Sequence, residues 1–423
     1  MIDPKLLREN PELVKAACKN KNVTIDVDAI LALDVKKREL AGQIDEINRA
    51  RKAAAETKDV EHGRALKQSA AEAEKELSVI DAELAPMLLK LPNIPSDDTP
   101  IGADESANVV LRQVGDKPQF DFAPKDHVVL GEALGFIDIE KAAQVVGARF
   151  AYMKGDLVLL EMAVINFAVN FLTNEGALKH LIEIKNLNVS SKPFTLVSPP
   201  LMMRSEVMQR MARLEPRDER YHVEVDDLYL IGSAEHTLGP LHMDETVKET
   251  DLPIRYAAFT AAFRREAGSY GKDTKGLIRV HQFNKLEMES FSTAEQGIDE
   301  QNFLVAIQEH LMQELGLPYQ IVMCCTGDQG DPDARHLDLE TWMPGQNKYR
   351  ETHSADYMTD YQARRLNTKV KGEKGSALAH MNDATVIAER TIVAIMENYQ
   401  RADGKITIPE ILRPFMGGRE FIG

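Results

Sequence analysis

Between residues 30 and 87 the chain keeps a heptad register. Ile30, Leu33, Lys37, Leu40, Ile44, Ile47, Arg51 and Ala54 follow at alternating steps of three and four, and Leu66, Ala70, Ala73, Leu77, Ile80, Leu84 and Met87 do so again. Steps averaging 3.5 hold one stripe of a helix against a partner helix. The polar stretch between the two runs, 55–65, is short enough for an antiparallel helical hairpin. Lys37 and Arg51 lie on the seam, where their stems pack and their charged heads snorkel outward. Leu91-Pro92-Asn93-Ile94-Pro95 ends the hairpin, because two prolines stop any helix. Ahead of it, Asp3-Pro4 starts a short helix with a capping side chain and a proline in the first turn. The expectation is an N-terminal region, 1–100, carrying a coiled-coil arm over about 27–91.

Residues 101–118 read as a linker. From 119 to 423 short β-rich runs alternate with longer helices, which predicts an α+β domain with helices over 157–174, 296–315 and 385–400. A 43% hydrophobic content is enough for a large core. Cys18, Cys324 and Cys325 are too few for a disulfide framework and match no metal spacing. MIDPKLLRENPELVK has no apolar segment of the signal-peptide kind, and no apolar run reaches a membrane span. A soluble, cytoplasmic protein with no membrane partner is expected. The net charge of -16 argues against general affinity for nucleic acid. Arg49, Arg51, Lys52, Lys58, Arg64 and Lys67 reverse that sign near the tip of the arm, a pattern that fits phosphate contacts. An interaction coiled coil without a nucleic-acid ligand is the plain alternative.

The stretch FRREAGSYGKDTKGLIRVHQFNKLE, 263–287, reads as strand, loop and strand around GSYGKDTKG, 268–276. Strand alternation puts Arg264 and Glu266 on one face. In the second strand it puts Arg279, His281, Phe283, Lys285 and Glu287 on one face, with Ile278, Val280, Leu286 and Met288 opposite. Arginine forks match phosphate oxygens, an aromatic ring stacks on a base, and a carboxylate accepts from an amine. The set suits a nucleoside triphosphate with an amino-bearing substrate. A solvated face whose charges pair among themselves is the other reading.

The same stretch resembles motif 2 of the class II aminoacyl-tRNA synthetases, in the form found in seryl-tRNA synthetases. MIDPKLLRENPE, LLKLPNIP, FDFAPKDHVVLGEALGFID, GARFAYMKG, LETWMPGQNKYRE, YQARR, IVAIMENYQ and ILRPFM are similar to segments of that family in the same order. The resemblance implies an antiparallel sheet flanked by helices over 119–423, as a catalytic domain. It implies ATP and Mg²⁺ as cofactors, L-serine and tRNA(Ser) as partners, and self-association through Met153–Pro200, which looks like motif 1. The reaction implied is ligation of serine to tRNA through a seryl-adenylate. The arm would contact the tRNA.

Residue roles carry over on the same basis. Arg264 and Arg390 are the implied catalytic residues, with Arg264 on the α-phosphate and Arg390 matching motif 3. An arginine in an apolar helix needs a partner in any case. Glu266 would accept from the adenine amine, Phe283 would stack on the ring, and Arg279 would hold the γ-phosphate. Arg265, Val280 and the run Glu351-Thr352-His353-Ser354 complete the implied ATP site, with Glu351 and Ser354 as Mg²⁺ ligands. Ser233, Ala234, Glu235, Arg264, Glu287, Asn382 and Ala384 are the implied serine site.

The sequence departs from the family pattern at four places. Ser233 replaces a usual Thr; Asn382-Asp383-Ala384-Thr385 replaces an Asn-Gly-Ser or Asn-Gly-Thr run; His353 and Asp356 break a Ser- and Cys-rich run. RSEVMQRMARLEPRDERYHVEV, 204–225, replaces a Gly-Thr-Gly-rich segment. Ala384 would thus lack a hydroxyl beside the substrate and weaken rejection of alanine. The runner-up reading is an adenylating paralogue with another amino acid or a non-tRNA acceptor, against which the basic arm speaks. A non-enzymatic RNA-binding homologue is the third; the retained motif residues speak against it.

Overall fold

Two helices of thirty residues each, Val27–Glu56 and Val60–Leu89, take up the heptad register in the computed structural model of the chain. All the seam positions are buried or half-buried, while Val35, Val60 and Val79 beside them are exposed. Lys37 snorkels to Asp81 on the opposite helix at 2.7 Å, and Lys36 meets Glu76 at 2.9 Å. These exposed pairs add at most about 1 kcal/mol each, so the apolar seam carries the hairpin. The break is shorter than the polar stretch predicted: only residues 57–59 interrupt the helices. Lys58 turns in the left-handed region, at φ 55°, and Asp59 caps the second helix by accepting from the His62 N–H at 3.0 Å. The polar residues that follow form its solvated face. Arg49, Lys52, Lys58, Arg64 and Lys67 are exposed around this turn, and Arg51 is half-buried.

The structure describes residues 1–267, 275–373 and 375–423; residues 268–274 of the GSYGKDTKG loop and Lys374 lie outside the described residues. The chain divides into two compact units, Met1–Ile94 and Pro95–Gly423. The second is built on an eight-stranded sheet: β1 Val109–Val114, β2 Thr195–Leu196, β3 Ile254–Phe263, β4 Gln282–Ser292, β5 Tyr319–Met323, β6 Arg335–Met343, β7 Lys348–Tyr357 and β8 His380–Ala388. The order is β1-β5-β6-β7-β8-β4-β3-β2, antiparallel except that β2 runs parallel to β3. One face packs on helices Asp156–Leu172, Gly297–Glu314 and Glu389–Asn398. Leu160, Val164, Phe303, Ile307 and Ile395 pack there on Leu286, Met288, Leu339, Ala355, Ala384 and Val386 of the sheet. The other face lines a cleft.

Three expectations change. Residues 109–114, read as linker, form the edge strand β1. The last helix runs 389–398, not 385–400, because Thr385–Ala388 continue β8, whose alternation buries Ala384 and Val386 on the core side. The charged hairpin is shorter than predicted: β3 ends at Phe263, β4 starts at Gln282, and residues 275–281 are outside any strand. Arg264 N donates to His281 O at 3.0 Å at the point where the ladder opens, and Glu266 sits at φ 53°. Arg264, Glu266, Arg279 and His281 are thus placed by irregular backbone rather than by strand alternation.

A buried ion pair ties β3 to the helix Gly297–Glu314. Arg255 donates to Glu300 at 2.9 and 2.6 Å, and to the Ser190 and Lys192 carbonyls at 2.8 Å. Both side chains are essentially shielded from water. Glu300→Ala leaves a buried guanidinium unpaired and is expected to lower unfolding free energy by about 3–5 kcal/mol in urea titrations. A loss under about 1 kcal/mol would mean that the two carbonyls satisfy Arg255 alone.

Candidate active site

The cleft has a volume of about 620 Å³ and is floored by the open face of β4, β7 and β8. Along β4, Phe283, Lys285 and Glu287 line it in turn, two residues apart, as strand alternation requires. At one end the Arg264 guanidinium lies 5.3 Å from the centre of the Phe283 ring, and its Nε donates to Gly232 O at 3.1 Å. The guanidinium is thereby fixed beside the ring, and Arg264 lines the cleft. Glu266 and Arg279 hold each other at 2.6 Å, and Val280 is buried beside them. On the far wall Arg390 Nη1 lies 3.0 Å from both the side chain and the carbonyl of Glu351. Its neighbour Glu389 is buried beside Glu161, and burial followed by that carboxylate pushes its acid up to about 8.

Two bulges set which side chains face inward. Glu340 pairs with Glu351 and Leu339 with His353, so Thr352 is an extra residue in β7. In a regular strand residues three apart face opposite ways; the bulge lets both Glu351 and Ser354 line the cleft. On β8, Leu286 pairs with Ile387 and Glu287 with Thr385, leaving Val386 as the extra residue. Asp383, Thr385 and Ala388 consequently all face the cleft.

Beyond Phe283 the walls become acidic. Ser233 Oγ donates to Glu287, whose Oε2 also accepts from Glu235 N at 3.1 Å. Lys285 Nζ donates to the other Glu287 oxygen at 2.5 Å and to Ser233 Oγ at 3.2 Å. Glu235 accepts from Arg213 Nε at 2.8 Å and from Gln362 at 3.0 Å.

The structure therefore gathers Arg264, Glu266, Arg279, Val280, Phe283, Glu351, Thr352, Ser354, Arg390, Ser233, Glu235 and Glu287 around one cleft. It turns others away. Ala384 packs into the core between Met288 and Ala355, one position out of phase with the cleft-facing Asp383 and Thr385. Asn382 is fully buried and pairs with Ser290 and Tyr357, out of phase in the same way. Burial pushes the His353 imidazole down to about 4; it sits opposite Leu339 and contacts Thr352 Oγ1 at 2.8 Å. Ala234 packs on Leu238 and Ala258, and Arg265 is exposed, its N–H donating to Glu219 O at 3.1 Å. Lys285, Arg213, Asp333, His336 and Glu389 line the cleft without having been singled out as site residues. Only Lys285 had a usable signal, the period of two in the motif that holds Phe283 and Glu287.

The comparisons agree in extent. Residues 1–95 match the seryl-tRNA synthetase N-terminal domain, and residues 220–399 match the tRNA synthetase class II core domain (G, H, P, S and T). The serine--tRNA ligase of Brucella abortus is 39% identical over 99% of this chain and 98% of that protein. The crystal structure of seryl-tRNA synthetase from Pyrococcus horikoshii complexed with ATP superposes with a TM-score of 0.89 at 35% identity, over 100% of this chain and 99% of that one. The cytoplasmic serine-tRNA ligase from Naegleria fowleri in complex with AMP follows at 0.87 and 30%, over 100% and 98%. With both matched regions in place and full-length relatives well above 30% identity, this chain belongs to the seryl-tRNA synthetase family of class II synthetases.

Proposed function

We propose that this chain ligates serine to tRNA(Ser), with ATP converted to AMP and pyrophosphate through a seryl-adenylate. The observation that carries the reading is the line Arg264–Phe283–Lys285–Glu287 along one cleft wall, faced by Glu351 and Arg390. Phe283 takes the adenine face and Glu266 accepts from its amine. Arg279 and Arg390 hold the outer phosphates. Arg264 stabilises charge at the α-phosphorus as the serine carboxylate attacks and pyrophosphate leaves, so catalysis is positioning plus charge stabilisation. Glu287, Ser233 and Lys285 supply the polar end of the amino-acid pocket.

The donors also fit Mg²⁺. Glu351 and Ser354 are hard oxygen ligands brought to one side by the Thr352 bulge, and the Glu351 side chain is half exposed to the cleft. These residues would hold the ion, which would supply positive charge to the phosphates. The exposed basic residues at the tip of the arm are the proposed tRNA contacts. Leu159, Met162, Leu196 and Phe259 are exposed apolar side chains on the motif 1 region and its neighbour β3, a surface that fits a second copy of this chain. Among the described residues no single helix is long and apolar enough to cross a membrane. A cytoplasmic location is proposed from the low cysteine content, three buried cysteines with no disulfide among the described residues.

Serine-dependent ATP–pyrophosphate exchange together with charging of tRNA(Ser) tests the assignment; exchange without charging would favour a non-tRNA acceptor. Phe283→Ala is expected to raise the KM for ATP about 5- to 100-fold, since base–aromatic stacking is worth about 1–3 kcal/mol, while the KM for serine moves much less. An unaltered ATP KM would take the ring out of the adenine site.

A further inference from the structure

The open face of the sheet continues past Glu287. One strand repeat along β4, about 7 Å on, the next residue on that face is Glu289. In register with it stand Asp383 on β8, Asp356 on β7 and His336 on β6. Three carboxyl groups thus occupy directly opposed positions on neighbouring strands, where like charges repel.

Arg213 and His336 reach into the row. Arg213 gives its Nε to Glu235 at 2.8 Å, and its Nη2 stands only 3.8 Å from Asp333 and 3.7 Å from Asp383. His336 contacts Asp356 through Nδ1, is 3.9 Å from Asp333 by the same atom, and meets Asp338 at 2.8 Å through Nε2. Glu235, Asp333, Asp338, Asp356 and Asp383 thus crowd around Arg213 and His336, with Glu289 next in the row. Asp383 and Glu289 are 3% and 0% exposed. Asp383 Oδ2 and both Glu289 oxygens accept no hydrogen bond among the described residues. Burial, reinforced by Glu235 and the other nearby carboxylates, pushes both acids upward, and Asp383 shares a side-chain hydrogen bond with Asp356. Arg213, Asp356 and Asp383 come from the three departures at 204–225, 351–357 and 382–385, which converge here.

The serine hydroxyl is one bond past the β-carbon and is accounted for at Glu287 and Ser233. A group that meets the row must reach beyond them, and a cation is the group best matched to its crowded carboxyl oxygens.

We propose that the amino-acid end of the cleft accepts, alongside serine, α-amino acids of four or five carbons whose side chain ends in an ammonium, seated against Asp383 and Asp356. The step is the one already described: the α-carboxylate attacks the α-phosphorus of ATP, an oxygen–phosphorus bond forms, and pyrophosphate leaves. The inference rests on reading the cleft as an amino-acid-activating site, and serine in the same assay separates the two failures.

The test is ATP–pyrophosphate exchange on the full-length protein with L-serine, L-2,4-diaminobutyrate, L-ornithine and their uncharged isosteres L-norvaline and L-norleucine. The expected result is a kcat/KM at least about tenfold higher for one diamino acid than for its isostere, since a charge-assisted contact is worth about 1.5–3 kcal/mol. That ratio should fall about tenfold in Asp383→Asn and in Asp356→Asn, with circular dichroism showing both variants folded. The wild-type comparison decides without any variant. Diamino acids no better than their isosteres, with serine active, would overturn the inference and leave the serine reading standing; the row then serves the α-ammonium. Active diamino acids with inactive serine would support it and overturn the serine reading. Silence with every amino acid would overturn both. Asp333, His336 and Asp356 also lie close enough to share a metal ion. Exchange that requires added Zn²⁺ and shows no diamino-acid preference would therefore count against the inference.

Discussion

Arg264→Ala is expected to lower serine-dependent ATP–pyrophosphate exchange about 10³-fold or more, with little change in the urea unfolding midpoint. The guanidinium is fixed by its bond to Gly232 O at 3.1 Å and by the Phe283 ring beside it, so its charge is in place before the nucleotide arrives. A preorganised cation at a reacting phosphorus acts on the transition state more than on the ground state. Comparable arginines in phosphoryl transfer are worth about 10³–10⁵ in rate. Against that, the folded state loses one hydrogen bond to a half-buried side chain, about 1 kcal/mol. Rate and stability should therefore separate sharply. Exchange within tenfold of the unmodified protein would remove Arg264 from the proposed role, and a matching loss of stability would make it a structural residue.

Removal of residues 30–88, with a short linker across the gap, is expected to keep exchange within about threefold while charging of tRNA(Ser) falls about 100-fold or more. The cleft residues all belong to the unit Pro95–Gly423, whose main core draws on residues 130–422. The hairpin has its own seam of Ile30, Leu40, Ala54, Ala70, Ile80 and Leu84. Its six basic side chains are the proposed phosphate contacts, and binding by the intact protein should then fall with salt at a slope of about -4 to -5 in log–log form. Charging that survives the deletion would make the hairpin an ordinary interaction module.

Much of this was legible in the chain itself, unevenly and for physical reasons. The arm could be read because a coiled-coil seam is a strictly local period; even its seam lysine, Lys37, behaves as its stem and charge dictate. Phe283, Lys285 and Glu287 fall on one face because β4 is regular there. Where the backbone is irregular the expected arrangement changes. The stretch 275–281, outside any strand, and the left-handed Glu266 place charged groups that a regular hairpin would have placed elsewhere. Asn382, Ala384 and His353 were matched by position along the chain, and the sheet turns each of them out of the cleft. The row Glu289–Asp383–Asp356–His336 was out of reach for another reason: its members come from four strands and meet only through pairing register.

The extra residues Thr352 and Val386 give the sheet a parity. Every position on β7 and β8 is even or odd with respect to the cleft, and each bulge flips that parity at one point. Substitutions leave parity intact, so the chemistry of the cleft can drift residue by residue without disturbing the scaffold. A single inserted or lost residue between the bulge and the strand end would instead exchange the inner and outer sets wholesale, driving Asp383 and Thr385 toward the core and Ala384 into water. Length along these two strands is therefore held far more rigidly than residue identity, and the cleft is a surface whose lettering can change while its spacing cannot.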